Sequence, residues 1–352
     1  MAPGVEQEEV EVLAWFLMQA VVRSRHTLVF GLVSFCSSMG LARPELEDKP
    51  YKLHSAMPAY WRFLRLDSKP ERRFDVKLFR AEVIEPNQDV FSAVAGRSLG
   101  DSSLKAMIRA LAPKSEQMRR VEAEFPDRLA RAWQRFAEHA PDLKPSATVF
   151  LLPAPRFALG GSVRPLGERD AVVFGTEEIA LTLESTTGFE VLVHHEMTHL
   201  YHIQVNPEMR QMTAEVYMPP YALNKAKLYQ VVWLEGLAVY WSKVLNPRAP
   251  DKEVLVSGNL AERVVAGWPR IASDLRQQLD SSRKEDIDAY MFGGNTHGRF
   301  PHRTGYYVGM LIAERLAKRY SFAQLCRLSG PRLRSEVEEA LRDLEKSPLR
   351  RQ

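Results

Sequence analysis

His195-Glu196-Met197-Thr198-His199 places two imidazoles four residues apart in an apolar stretch with no helix breaker. On a helix, positions i and i+4 share a face, so both rings can grip one divalent cation. Glu196, beside the first histidine, can then reach a water on that ion and take its proton. This is the chemistry of zinc-assisted hydrolysis. It makes His195 and His199 the expected metal ligands, Glu196 the expected base and Zn2+ the expected cofactor.

Two histidines do not complete such a site, because catalytic zinc usually has three protein ligands and one open position. A histidine six residues after His199 would complete one common pattern, but Val205 stands there. His202 is read as rotated off the face of the pair and His194 as pointing elsewhere, so both are expected in structural or supporting roles. Farther on, Trp233 to Tyr240 is an apolar helical pattern interrupted by Glu235. A carboxylate on the buried side of a helix is costly unless it meets a cation. Gly236 and Ala238 would let that helix press closely on the histidine-bearing one. Glu235 is therefore the expected third ligand, with Glu215 in reserve.

These groups need elements to hold them. Gly188 to Val205 predicts a helix stopped by Asn206-Pro207, and Lys227 to Leu245 predicts a second. Ahead of them, Ala147 to Leu152 and Asp170 to Phe174 read as strands, and Phe157 to Val163 as a bent strand or turn around Gly160-Gly161. Met118, Val121, Phe125, Leu129, Trp133 and Phe136 recur at helical spacing over 115–139, where Pro126 should kink or split the helix. Later helices are expected over 258–279, 305–319 and 333–346. Residues 43–70 read as an irregular lead-in. The fold class is α+β, dominated by helices, with a small mixed or antiparallel sheet. Domain boundaries are expected at 42/43 and 146/147. They leave a helical N-terminal region (43–146) and a catalytic domain (147–352).

A helix with H-E-x-x-H followed by a helix with E-G-x-A resembles the gluzincin clan of metallopeptidases. The likeness is closest to poorly characterised bacterial predicted zinc proteases with an E-G-L-A-x-Y segment, here Glu235 to Tyr240. It covers about 147–318 and implies a zincin-like core, zinc bound by His195, His199 and Glu235, and Glu196 as base. It also implies an edge strand above the metal, for which Asp170 to Phe174 is the candidate, with Val172 and Phe174 as substrate contacts. Similar proteins carry a G-Y-x-x-G segment, matched by Gly305 to Gly309. There Tyr306, preferred over Tyr307, is the expected oxyanion donor. Arg303 is a candidate for binding a substrate carboxylate. The amine-recognition motif of the clan's aminopeptidases is absent, so aminopeptidase specificity is not implied.

The chain has 352 residues, 45% hydrophobic and 26% charged, with a formal net charge of +4. That is ordinary globular composition with length for a sizeable core. Its arginines are dispersed rather than interleaved with aromatics in a basic block, which argues against nucleic-acid binding. The expected partner is a peptide or protein substrate. Arg23 and Arg25, a short apolar run from Thr27 to Phe35, and small residues at Gly40 and Ala42 fit a secretory signal peptide over 1–42. Glu6, Glu8, Glu9 and Glu11 precede it against the usual charge bias, so translation starting near Met18 or Val22 is an alternative. The expected location is periplasmic or secreted, with an N-terminal membrane anchor as the alternative, and no stable membrane span is expected after cleavage. Cys36 would leave with the signal, and Cys326 alone forms no internal disulfide. No serine nucleophile or dinucleotide fingerprint is expected. The competing reading is a metal-binding zincin scaffold that serves as a non-proteolytic binding module.

Overall fold

The computed structural model describes residues 50–68, 74–95, 100–153, 160–166, 169–182, 187–217, 225–292 and 299–346. The expected signal peptide lies outside them. Pro50–Gln352 packs as one unit. It begins with β1 (Tyr51–Ser55) and α1 (Met57–Asp67). Helix α2 (Val76–Phe79) runs through a π turn (Arg80–Ile84) and a 3-10 turn (Glu85–Asn87) into α3 (Gln88–Ala95). Then come α4 (Asp101–Leu111), α5 (Ser115–Ala137), β2 (Ala147–Leu152), β3 (Gly161–Leu166), β4 (Arg169–Gly175) and α6 (Thr176–Thr182). The remainder is helical: α7 (Gly188–Val205), α8 (Pro207–Tyr217), α9 (Leu228–Leu245), α10 (Asp251–Val254), α11 (Leu260–Ala266), α12 (Trp268–Gln278), α13 (Lys284–Met291), α14 (Thr304–Leu316), α15 (Phe322–Cys326) and α16 (Gly330–Lys346). The architecture is α+β, with helices dominating a small mixed sheet.

The sheet runs β1-β2-β4-β3. Strands β1, β2 and β4 are parallel and β3 is antiparallel to β4. Two expectations change here. Tyr51–Ser55, read as part of an irregular lead-in, pairs with β2, so the sheet crosses the boundary drawn at 146/147. Asp170 to Phe174 is not an edge. Val172 pairs with Val149 on one side and Val163 on the other, and Phe174 with Leu151 and Gly161. The reason is visible in composition. Ala171 to Phe174 is an unbroken apolar run, the mark of a strand buried on both faces, whereas β3 carries Ser162, Arg164 and Pro165. Proline donates no backbone hydrogen bond and is tolerated at an edge.

Helices α7 and α9 sit at the centre of the core and are buried on nearly every face; α9 is apolar nearly all round, whereas α7 buries His194, Glu196, His199 and His202 among its apolar residues. Among the described residues no helix is long and apolar enough to cross a membrane. Helix α7 packs on α5, α9, β3 and β4. It stops at Asn206, as the sequence predicts, and Pro207 opens α8 at once. Asn206 Oδ1 accepts from Met209 N at 3.2 Å, while its Nδ2 donates to the carbonyls of Cys326 and Leu328. One side chain thus caps α8 and ties it to α15. Helix α5 runs unbroken through Pro126, and the expected helix over 258–279 breaks at Gly267 into α11 and α12.

Candidate metal centre

Helix α7 presents His195 and His199 on one face, and α9 brings Glu235 against them. The two Nε2 atoms are 3.0 Å apart, and Glu235 Oε2 lies 3.4 Å from His195 Nε2 and 3.5 Å from His199 Nε2. Among the described residues, this is the one group of three or more His, Cys, Asp or Glu side chains close enough to hold a metal ion. A tetrahedral zinc with bonds of about 2.0–2.1 Å requires ligand atoms about 3.3 Å apart. The three observed edges bracket that length, so the donor set fits such an ion. The side chains of His195, His199 and Glu235 keep 15%, 11% and 11% of their exposure, so solvent reaches them through a narrow opening.

Three acceptor atoms this close repel unless a proton or a cation lies among them. Without a metal the proton goes to His199. Burial works against its charged form, but Glu235 and Glu196 outweigh that and raise its pKa above the ordinary value. Burial pushes His195 down to about 4 despite its hydrogen bond to Glu235. Burial would raise Glu235, but the two histidines hold it well below the usual carboxylate range. Glu196 moves the other way. Burial, reinforced by Glu235, lifts it to about 7 against the pull of His199 and Arg164.

Glu196 lies beneath the start of β3. A Cβ built on Gly161 would stand 2.4 Å from Glu196 Cγ and 2.7 Å from its Cδ, so the carboxylate occupies the space a side chain there would need. Gly160-Gly161 reads in sequence as a turn, and this role of Gly161 is missed there. A glycine within a strand is nevertheless the signal for a close approach. The terminal strand beside Glu196 is β3. Val172 and Phe174, proposed as substrate contacts, are 1% and 0% exposed on the interior strand β4, with Phe174 packed edge-on against Phe125.

Tyr306 reaches the centre from α14. Burial first, then the charge of nearby Glu235, holds its pKa far above the ordinary value. Tyr307 is buried among core residues. Arg303 Cζ lies 3.7 Å from the Tyr306 ring centroid. The spacing of α9 and α14 is set by glycines. A Cβ on Gly236 would fall 2.2 Å from Gly309 Cα, and one on Gly309 2.2 Å from the Val232 carbonyl oxygen. Gly236 therefore presses on α14 and not, as the sequence suggested, on the histidine-bearing helix.

The remaining candidates are placed apart. Glu215 is exposed and accepts from Gln211 at 2.9 Å, outside the cluster. His194 is fully buried. Its Nε2 lies 3.1 Å from the Ala132 carbonyl and its Nδ1 2.8 Å from Asn246 Nδ2, which ties α5, α7 and the end of α9 together. His202 is not turned away from the pair: seven residues after His195 brings it back to the same face, about 10 Å along the axis and beyond the cluster. Neither of its ring nitrogens has a partner among the described residues. Gly96-Arg97-Ser98-Leu99-Gly100 spells G-x-S-x-G, a pattern passed over in the sequence. Residues 96–99 lie outside the described ones; the element before them is helix α3, whereas a nucleophile elbow follows a strand. In comparisons with known proteins, no family model, curated protein or solved structure matches this chain.

Proposed function

We propose that this chain is a zinc-dependent peptidase, with His195, His199 and Glu235 as the metal ligands and Glu196 as the general base. The observation that carries the reading is the convergence of two imidazoles and a carboxylate at 3.0–3.5 Å beside a fourth, unligated carboxylate for which β3 leaves room. Imidazole and carboxylate donors in this number suit zinc. A bound zinc ion acidifies water and polarises a carbonyl.

The protein's own groups account for the rest. Glu196 sits on the residue next to a ligand, buried and near neutrality, where a carboxylate can accept a proton from water and return it to a leaving amine. A cation beside it would hold it lower and more readily ionised. Tyr306, kept neutral beside the centre by burial and by the charge of Glu235, is a candidate donor to a substrate oxyanion. An extended peptide would align along β3, the terminal strand beside Glu196, with Gly161 to Arg164 ahead of Pro165.

A non-proteolytic metal scaffold has no use for Glu196 or for the space kept open above it, which favours the enzyme. The test is metal content and peptide turnover of the purified chain. One zinc per chain, turnover abolished by a chelator and restored by zinc, and a Glu196→Gln variant that keeps its zinc but loses turnover by about 10²–10⁴-fold are expected. Full turnover in Glu196→Gln would refute the assignment.

A further inference from the structure

Arg303 is held by more constraints than a surface arginine needs. Among the described residues three non-glycine residues have positive φ: Phe74, Val256 and Arg303. Each costs roughly 1–2 kcal/mol of backbone strain. Such strain persists where the surroundings over-determine it, often at ligand clamps. Two of the three converge, because Arg303 Nε donates to the carbonyl of Leu255, the neighbour of Val256, at 3.1 Å. The same guanidinium covers the ring of Tyr306, 3.7 Å from its centroid. The position of the group is thus fixed twice, once through Nε and once through its face.

Its two terminal nitrogens have no hydrogen-bond or ion-pair partner among the described residues. Arg299, Arg315 and Arg319 are paired with Asp274, Asp343 and Glu336, and Arg248, Arg263 and Arg270, which have no such partner among the described residues, are exposed, whereas Arg303 is half-buried. A half-buried, pre-aimed guanidinium with two idle donors is a fork for a carboxylate. Its place beside the metal centre follows from the packing: Arg303 lies on Tyr306, one turn before Gly309, whose backbone meets that of Gly236 next to Glu235. Such a span is the reach of one or two residues of extended chain, at about 3.3–3.6 Å each.

We propose that Arg303 anchors a substrate carboxylate within one or two residues of the bond cleaved at the His195–His199–Glu235 centre. This rests on the peptidase reading and narrows it to peptides carrying a carboxylate beside the scissile bond. That carboxylate is either the chain's own C-terminus or an Asp or Glu side chain.

The zinc-loaded full chain is tested on three matched N-acylated tripeptides: a free acid, its C-terminal amide, and an amide with Asp as the last residue. The wild type should favour a carboxylate-bearing peptide over the plain amide by on the order of 10- to 100-fold in kcat/KM. Preference for the free acid identifies a C-terminal carboxylate, and preference for the Asp-amide identifies a side chain. Arg303→Met should bring the ratio close to one, and Arg303→Lys, which keeps charge but loses the fork, should fall between. Circular dichroism and zinc content show that the variants are folded and loaded. Equal turnover of all three peptides by the wild type, or an undiminished preference in folded Arg303→Met, overturns the proposal. If no peptide is cleaved, the peptidase reading fails on its own, and the anchor is tested by calorimetric binding of N-acetyl-leucine against N-acetyl-leucinamide. Acid-selective binding lost in Arg303→Met supports the anchor, and its absence in the wild type rejects it.

Discussion

Replacing Gly161 by alanine adds one methyl group at the point where β3 crosses Glu196. The new Cβ would stand 2.4 Å from Glu196 Cγ and 2.7 Å from Cδ and Oε1. Ordinary contact begins at 3.4 Å, so the glutamate must retreat by about 1 Å or β3 must lift by the same amount. Gly161 does not have the positive φ of Gly160, so alanine brings no backbone penalty of its own. The three atoms nearest the added methyl group all belong to Glu196 and none to the proposed ligands His195, His199 and Glu235. A 1 Å displacement of a general base costs on the order of 10²-fold in rate. The expected variant therefore binds one zinc per chain, stays folded with stability lowered by about 1–3 kcal/mol, and loses about 10²-fold in kcat. Gly160→Ala serves as the contrast. Its φ of +96° makes alanine strained, while its nearest neighbour is Leu192 at 3.5 Å, so it should lose stability and keep more of its rate. The assay is steady-state turnover of a fluorogenic peptide, with metal analysis and thermal melting on the same samples. A folded, zinc-loaded Gly161→Ala with wild-type kcat would show that Glu196 is not the base, or does not work from the position it occupies.

Three further outcomes follow from the same geometry. Gly309→Ala drives a methyl to 2.2 Å from the Val232 carbonyl, a backbone atom that cannot turn aside; α9 and α14 must separate, lowering stability by about 1–3 kcal/mol and weakening zinc binding through Glu235, as thermal melting and zinc titration would detect. Zinc affinity should fall with pH in mild acid, with up to two protons released per zinc at about pH 6, one from His199, which is raised, and one from Glu196, which a cation would move down from about 7, while His195, neutral down to about 4, releases none; calorimetry in buffers of different ionisation enthalpy reads that number, and a count unchanged in Glu196→Gln would contradict it. His202 is buried and depressed to about 3 by its burial and then by His199, so the unfolded chain gains a proton near 6.5 that the folded chain refuses; stability is lost as pH falls, by roughly 3 kcal/mol at pH 4. Replacing it by leucine should flatten that acid limb in urea unfolding, and parallel curves for variant and wild type would refute the reasoning.

The central helices were legible because their signals are local. Gly188–Val205 and the helix ending at Leu245 are long apolar runs with clear stops, and the side chains of His195, His199 and Glu235 follow from helical spacing plus one buried charge. The sheet order was not legible, because strand neighbours are chosen by long-range pairing. Even so, the unbroken apolar run of β4 and the proline of β3 carried the distinction between interior and edge. His202 was misplaced by arithmetic: two steps of 3.6 residues return almost to the starting face. The contact of Gly236 with Gly309 joins residues 73 positions apart, and nothing in either segment names the other.

That last contact explains how Glu235, a proposed ligand, and Tyr306 are held side by side. Glu235 adjoins Gly236 on α9, and Tyr306 lies one helical turn before Gly309 on α14. The glycine pair lets the two backbones meet, and the meeting brings Tyr306 close enough for the charge of Glu235 to act on it. Arg303, at the start of the same helix, covers the tyrosine from outside. Helix α7 is held separately, by the bonds from His194 to Ala132 and Asn246. The second of these bonds lies at the C-terminal end of α9, so the histidine face and the glutamate are indexed to each other along a single helix. A substitution at Asn246, outside the cluster, should therefore loosen metal binding with no ligand altered. Asn246→Ala, leaving His194 Nδ1 buried without its donor, would be expected to cost about 1–3 kcal/mol in stability and to raise the zinc dissociation constant, and an unchanged zinc affinity would show that α7 finds its register without that bond.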